Sequence, residues 1–172
     1  MLEDAGKLVD RLSQLNALLV LAESCTGGLV ASELAAIPGI SEFFCGSAVT
    51  YRCDTKVQWL GINQEALDLH TAVSAEVTSQ MTRGALERTP EASISAAVTG
   101  HLGPNAPSNL DGVVFIAIAV RTPVEIRCFA ATRHQLTTSD RLSRQREAAA
   151  LVIGQLRDRL DDNSLGDLSD RR

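Results

Sequence analysis

Ser24, Tyr51 and Lys56 have the residue types and the spacing for acyl chemistry. A serine hydroxyl attacks a carbonyl only when a base takes its proton. Histidine is the common base, yet His70, His101 and His134 are scattered singly and suggest no triad. Lysine can take that role where burial or a neighbouring charge leaves its amine partly neutral. The composition draws attention to one lysine, because the chain has fourteen Arg and only two Lys, Lys7 and Lys56. A guanidinium cannot release a proton near neutral pH, so a lysine kept in mid-chain suits a task that arginine cannot do. Tyr51 precedes Lys56 by five residues, close enough for both to reach one pocket. The competing reading is a surface lysine beside a core-edge tyrosine. Cys25 is a second candidate nucleophile, ranked behind Ser24.

The stretch around Ser24 has to position it. Leu18 to Ala22 is a short apolar run that fits a buried strand, and Leu29, Val30, Leu34 and Ile37 then recur at helical spacing until Pro38-Gly39. A strand turning tightly into a helix leaves unpaired N–H groups that attract an anion, whether a phosphate or the oxyanion of a reacting carbonyl. Ser24 and Thr26 place hydroxyls there, and Gly27 and Gly28 remove side chains that would block approach. The N–H groups of residues 26 to 28 are the expected oxyanion hole. The same residues also fit a plain helix cap and packing glycines, and both readings stay open at this point.

The remaining elements follow in order. An opening helix carries Leu8, Leu12 and Leu15 on one face; Gly46 to Cys53 reads as a strand holding Tyr51; and Asp54 caps a short helix over Thr55 to Leu60. Further helices cover Gln64 to His70 and the stretch from Ser74 toward Pro90. Ser93 to Val98 and Val113 to Val120 are strands, separated by the turn-rich Thr99 to Pro107. Thr122-Pro123 turns the chain into an antiparallel strand, Glu125 to Ala131. A last helix runs from Ser139 to Leu160 with Leu142, Ala149, Val152, Leu156 and Leu160 facing inward, and residues 161–172 form a polar, frayed tail. Helices alternating with strands predict an α/β fold, three layers with a mixed sheet of about five strands, as a single domain over residues 1–160. In such sheets the site lies beyond the carboxyl ends of the strands, which brings Glu23–Gly28, Tyr51–Lys56 and Thr99–Pro107 to one rim.

Composition excludes several classes. A net charge of −5 and six aromatic residues in 172 argue against a nucleic-acid binder. No apolar run reaches membrane-spanning length and no secretory leader is visible, so a soluble cytoplasmic protein is expected. The four cysteines show no paired ligand spacing, so neither metal nor cofactor is expected.

AESCTGG, VTY separated by four residues from Lys56, WLGI, TAVS and AAVTG together resemble the CinA C-terminal-domain family, over about residues 5 to 160. The best-known members of that family are nicotinamide-nucleotide amidohydrolases, or nicotinamide mononucleotide deamidases. The resemblance implies a three-layer fold, a small-molecule nucleotide substrate and a Ser24–Lys56 pair, with Tyr51 as a further catalytic position. It also implies Thr26, Gly27, Gly28, Thr99, Gly100 and Arg141 as substrate-binding positions, and association into a homo-oligomer. Many relatives carry a molybdopterin-binding-like domain ahead of this one, which this sequence lacks, so a stand-alone form is expected. Two departures are visible. The family loop TGIAGPGGG reads TGHLGPNAP from Thr99, and GDR-x3-R reads Ser139-Asp140-Arg141 with Gln145 in place of the second arginine. The implied activity is cleavage of the carboxamide of nicotinamide mononucleotide to the acid and ammonia. The alternative is a non-catalytic nucleotide-binding or regulatory domain that keeps the pocket. If the second arginine reads the phosphate, Gln145 predicts weakened discrimination for the phosphorylated substrate.

Overall fold

In the computed structural model, which describes residues 2–162, alternation along the strands decides which helical layer each residue serves. β1 (Leu19–Glu23) lies between β2 (Phe44–Val49) and β3 (Ile94–Gly100), parallel to both. β4 (Val113–Arg121) runs antiparallel to β3, and the sheet order is β2-β1-β3-β4-β5, with β6 also on β4. On one face Leu19 and Leu21 of β1, Ile94, Ala96 and Val98 of β3, and Val114, Ile116 and Ile118 of β4 pack beneath three helices. These are α1 (Leu2–Gln14), α2 (Leu29–Ala35) and α6 (Arg141–Asp161). On the other face Val20, Ala22, Ala97 and Ala119 meet α3 (Cys53–Leu60), α4 (Gln64–His70) and α5 (Ala75–Arg88). The three-layer α/β expectation therefore describes the molecule.

The sheet has six strands rather than five. The segment expected as one strand over Glu125 to Ala131 is two short ones, β5 (Ile126–Cys128) and β6 (Thr132–Gln135). Nine-residue β4 is long enough to pair with both along one edge, through Ala119–Arg121 and Val113–Ile116 respectively. The strand expected over Gly46 to Cys53 ends at Val49, leaving Tyr51 in the connection beyond it. Asp54 lies inside α3 rather than capping it; Arg52 holds the cap position without a side-chain cap bond. Leu142 is 53% exposed rather than inward, because it stands in the first turn of α6 before that helix reaches the core. Asp161 closes α6, and most of the expected frayed tail lies outside the described residues.

Candidate active site

Alternation puts Glu23 on the same face as Leu19 and Leu21, directly under the start of α2. It is 1% exposed, and its carboxylate accepts five hydrogen bonds. Gly28 N–H (2.9 Å) and Val30 N–H (3.2 Å) donate to one oxygen together with the Thr26 hydroxyl (2.7 Å). Ala31 N–H (3.0 Å) and the Ser47 hydroxyl (3.0 Å) donate to the other. Gly27 and Gly28 take positive φ (64° and 96°), where a side chain would be strained, and this bends the chain back over Glu23. The anion that the start of α2 attracts is thus the protein's own carboxylate. The expected oxyanion hole of residues 26 to 28 is corrected accordingly. Gly28 N–H is used by Glu23, and Gly27 N–H donates to the Ser24 carbonyl. Thr26 is fully buried with its hydroxyl on Glu23, and Thr26, Gly27 and Gly28 shape the turn without lining the pocket.

Ser24 emerges at the carboxyl end of β1, its N–H donating to the Val98 carbonyl of β3. Lys56 comes from the first half of α3. Its side chain is 1% exposed, and Nζ donates to Ser24 Oγ at 3.0 Å and to the Thr50 carbonyl at 2.5 Å. Thr50 is fixed in turn by its N–H on the Glu23 carbonyl, so the ends of β1 and β2 jointly aim the lysine at the serine. Among the described residues Lys56 forms no ion pair. Burial pushes its pKa below the ordinary lysine value, since two neutral oxygens do not compensate a desolvated ammonium; the thiols of Cys53 and Cys25 oppose this more weakly. Cys25 also borders the pocket, but burial pushes its thiol up to about 12, which leaves it protonated and a poor nucleophile.

The pocket, about 230 Å³, is lined by Ser24, Cys25, Tyr51 and Lys56, by Ala72 and Val73 before α5, by residues 100–104, and by Arg141. Tyr51 is 56% exposed at the rim, where its hydroxyl accepts a 2.7 Å hydrogen bond from Arg141 Nη2. Arg141 opens α6 behind the Asp140 cap, and its other terminal nitrogen donates to the Gly103 carbonyl. Thr99 does not reach the pocket. It lies on the α5 face of β3, where its hydroxyl pairs with that of Thr78 at 2.9 Å. Gly100 does line the pocket and has no room for a side chain, since a Cβ would stand 2.5 Å from Val114 Cγ1 and 2.7 Å from the Val113 carbonyl oxygen. Gln145 is turned to the Ser24 turn, its amide donating to the Thr26 carbonyl at 2.7 Å. Arg144 binds both carboxylate oxygens of Asp111, at 2.8 and 2.9 Å, and ties the 100–112 loop to α6.

Sequence reading missed His101 as a pocket residue. Only its place two residues after Thr99, in a loop at the rim, could have signalled it. A larger hollow of about 330 Å³ lies near the carboxyl end of α6, lined by Ile118, Thr132, Gln155, Asp158, Arg159 and Asp162; it contains no paired nucleophile and base. Among the described residues no cluster of His, Cys, Asp and Glu could hold a metal ion, and no helix is long and apolar enough to cross a membrane.

Residues 3–160 match the CinA C-terminal domain. A CinA-like protein of Desulforapulum autotrophicum is 36% identical over 159 residues, which cover 92% of this chain and 36% of that protein. One of Geobacter metallireducens is 50% identical over 103 residues, or 59% of this chain and 25% of that protein. The chain thus spans about a third or less of the length of these curated relatives. Solved structures are similar across nearly their whole length. The competence damage-inducible protein A (ComA) of Klebsiella pneumoniae superposes with a TM-score of 0.85 at 26% identity, covering 94% of this chain and 98% of that one. The competence/damage inducible protein CihA of Agrobacterium tumefaciens gives 0.82 at 30% identity, covering 94% and 95%. With the profile matching nearly every described residue, this chain belongs to the CinA C-terminal domain family.

Proposed function

We propose that the protein is an amidohydrolase that cleaves the carboxamide of nicotinamide mononucleotide, or of a related pyridine nucleotide, to the acid and ammonia. One observation carries this reading: a buried lysine with no carboxylate partner among the described residues stands 3.0 Å from a pocket-lining serine hydroxyl. Lys56 in its neutral form takes the Ser24 proton as Oγ attacks the carboxamide carbon, and the carbonyl electron pair moves onto oxygen. In this reading the backbone N–H of Cys25, adjacent to Ser24 and in a pocket-lining residue, meets that oxyanion. Collapse breaks the C–N bond, and the departing amine takes the proton from Lys56 and leaves as ammonia. Water then loses a proton to Lys56 and attacks the Ser24 ester. The second collapse frees the acid and returns the proton to Ser24.

The pocket is smaller than sites that enclose drug-sized ligands. A nucleotide would seat its carboxamide-bearing ring inside and leave its sugar and phosphate at the rim, near Tyr51 and Arg141. The test is ammonia release from nicotinamide mononucleotide, its riboside and free nicotinamide, with Ser24→Ala as the control. Release that Ser24→Ala abolishes supports the reading. Tight mononucleotide binding without ammonia release from the wild type overturns it in favour of a non-catalytic nucleotide-binding domain.

A further inference from the structure

The pocket's charge pattern departs from that of the rest of the chain. Asp and Glu together number 21 and outnumber Lys and Arg, yet none of them lines the pocket. Its lining groups that can carry positive charge are Lys56, His101 and Arg141. Lys56 is buried and occupied by Ser24 and Thr50. Neighbouring candidates for holding an anion are already committed: Arg144 to both oxygens of Asp111, and Gln145 to the Thr26 carbonyl. Arg141 retains donors beyond the two that it gives to Tyr51 and Gly103.

The backbone of His101 is pinned by its N–H on the Val113 carbonyl and its carbonyl on the Gly112 N–H, which holds the residue at the rim. Its half-buried ring makes no hydrogen bond to another described residue. Asp111, close enough to interact electrostatically with His101, has its carboxylate already held by Arg144. A ring nitrogen of His101 is therefore available to a ligand, on the same pocket that Arg141 borders.

We propose that His101 and Arg141 together form an anion clamp at the pocket rim that grips the phosphate of the substrate, with His101 as the specificity-determining contact. This rests on the nucleotide reading above. It moves phosphate recognition away from position 145, whose side chain faces the Ser24 turn. A hydrogen bond to a phosphate oxygen is charge-assisted, so losing one costs roughly tenfold or more in selectivity.

The experiment compares kcat/KM for nicotinamide mononucleotide and its riboside in the wild type, His101→Leu and His101→Arg, with thermal melts to show that each variant folds. The clamp predicts that the ratio of mononucleotide to riboside falls roughly tenfold in His101→Leu and is kept or raised in His101→Arg. A ratio unchanged in His101→Leu, or both substrates falling equally, overturns it. Failure of the enzymatic reading is separable, because it shows as no ammonia from either substrate in the wild type. The clamp is then read by calorimetric titration of mononucleotide into wild type and His101→Leu. Equal Kd values in that titration overturn the clamp, and a Kd raised roughly tenfold in the variant supports it.

Discussion

Replacing Glu23 by Gln tests whether the carboxylate holds the turn that carries Ser24. The change keeps size and shape but turns one acceptor oxygen into a donor NH₂. If the amide keeps its oxygen toward Gly28, Val30 and Thr26, the NH₂ faces Ala31 N–H and the Ser47 hydroxyl. Ser47 can rotate to accept, but Ala31 N–H cannot. If the amide flips, two backbone donors are opposed instead of one. The better orientation still orphans one N–H and replaces charge-assisted bonds by neutral ones, a loss of about 2–3 kcal/mol. For a domain of this size that lowers Tm by about 4–12 °C. Glu23→Ala removes all five acceptor contacts and leaves a cavity under α2, a loss that consumes much of the roughly 5–15 kcal/mol typical of a whole domain. The assay is thermal and urea denaturation followed by circular dichroism, paired with ammonia release. Because Ser24 is bonded to the same turn, Glu23→Gln should lower kcat more than it raises KM. A Glu23→Gln protein that melts within a degree of wild type would refute the view that five donors converge on a required charge.

Four further outcomes are expected. Activity should rise with pH as the Lys56 ammonium loses its proton at a pKa below the ordinary lysine value, and Lys56→Arg should lose nearly all turnover, measured as ammonia release across pH 6–10. In urea denaturation Lys56→Met should be more stable than wild type at neutral pH. The cost of burying the ammonium is fully present below the folded pKa and vanishes as pH approaches 10.5, so the difference should shrink along that rise. Gln145→Ala should destabilise by about 1 kcal/mol and lower mononucleotide and riboside turnover alike, leaving their ratio unchanged, because its amide serves the Thr26 carbonyl. Burial alone would raise the pKa of Glu147, but hydrogen bonds from Thr137 and Thr138 outweigh this and hold it at about 2. Glu147→Gln should therefore be less stable than wild type above pH 4.5, with the gap closing as pH falls toward 2, followed by urea midpoints.

Ser24 and Lys56 were legible because a strand–turn–helix pattern and a nearly lysine-free composition each pointed to one residue. The surroundings were less so, for reasons that individual residues explain. Thr26, Gly27 and Gly28 looked like ligand-binding residues because free N–H groups at a helix start imply an anion, and that anion is supplied by the preceding strand. Alternation would have revealed it, since Glu23 follows Leu19 and Leu21 at intervals of two. The same count carries Ser95, Ala97 and Thr99 toward α5, which takes Thr99 out of the pocket. β6 was unreadable because Thr132-Arg133-His134-Gln135 has no apolar alternation; pairing with long β4 makes it a strand. Gln145 read as a missing arginine because the family motif GDR-x3-R places one there, and a motif does not say which loop the side chain faces.

Glu23 and Lys56, both buried beside this turn, are treated in opposite ways, and the difference bears on how a lysine could act as base. Glu23 is met by five donors, an arrangement that only an acceptor-rich carboxylate satisfies, while Lys56 is met by two neutral oxygens. Had the Glu23 carboxylate turned toward Lys56, the two would form a buried ion pair. The lysine would then be held as an ammonium, unable to take a proton from Ser24. The start of α2 prevents this by holding both carboxylate oxygens on the opposite side of β1. The helix start that sequence reading assigned to the substrate's charge thus insulates the site from the protein's own. A weakened α2 start should accordingly affect Lys56. In a variant such as Ala31→Pro, which removes one donor to Glu23, the pH–activity profile should move toward higher pH as the freed carboxylate favours the ammonium. An unmoved profile in a folded Ala31→Pro protein would show that Glu23 does not influence the Lys56 proton, and would leave burial alone to account for it.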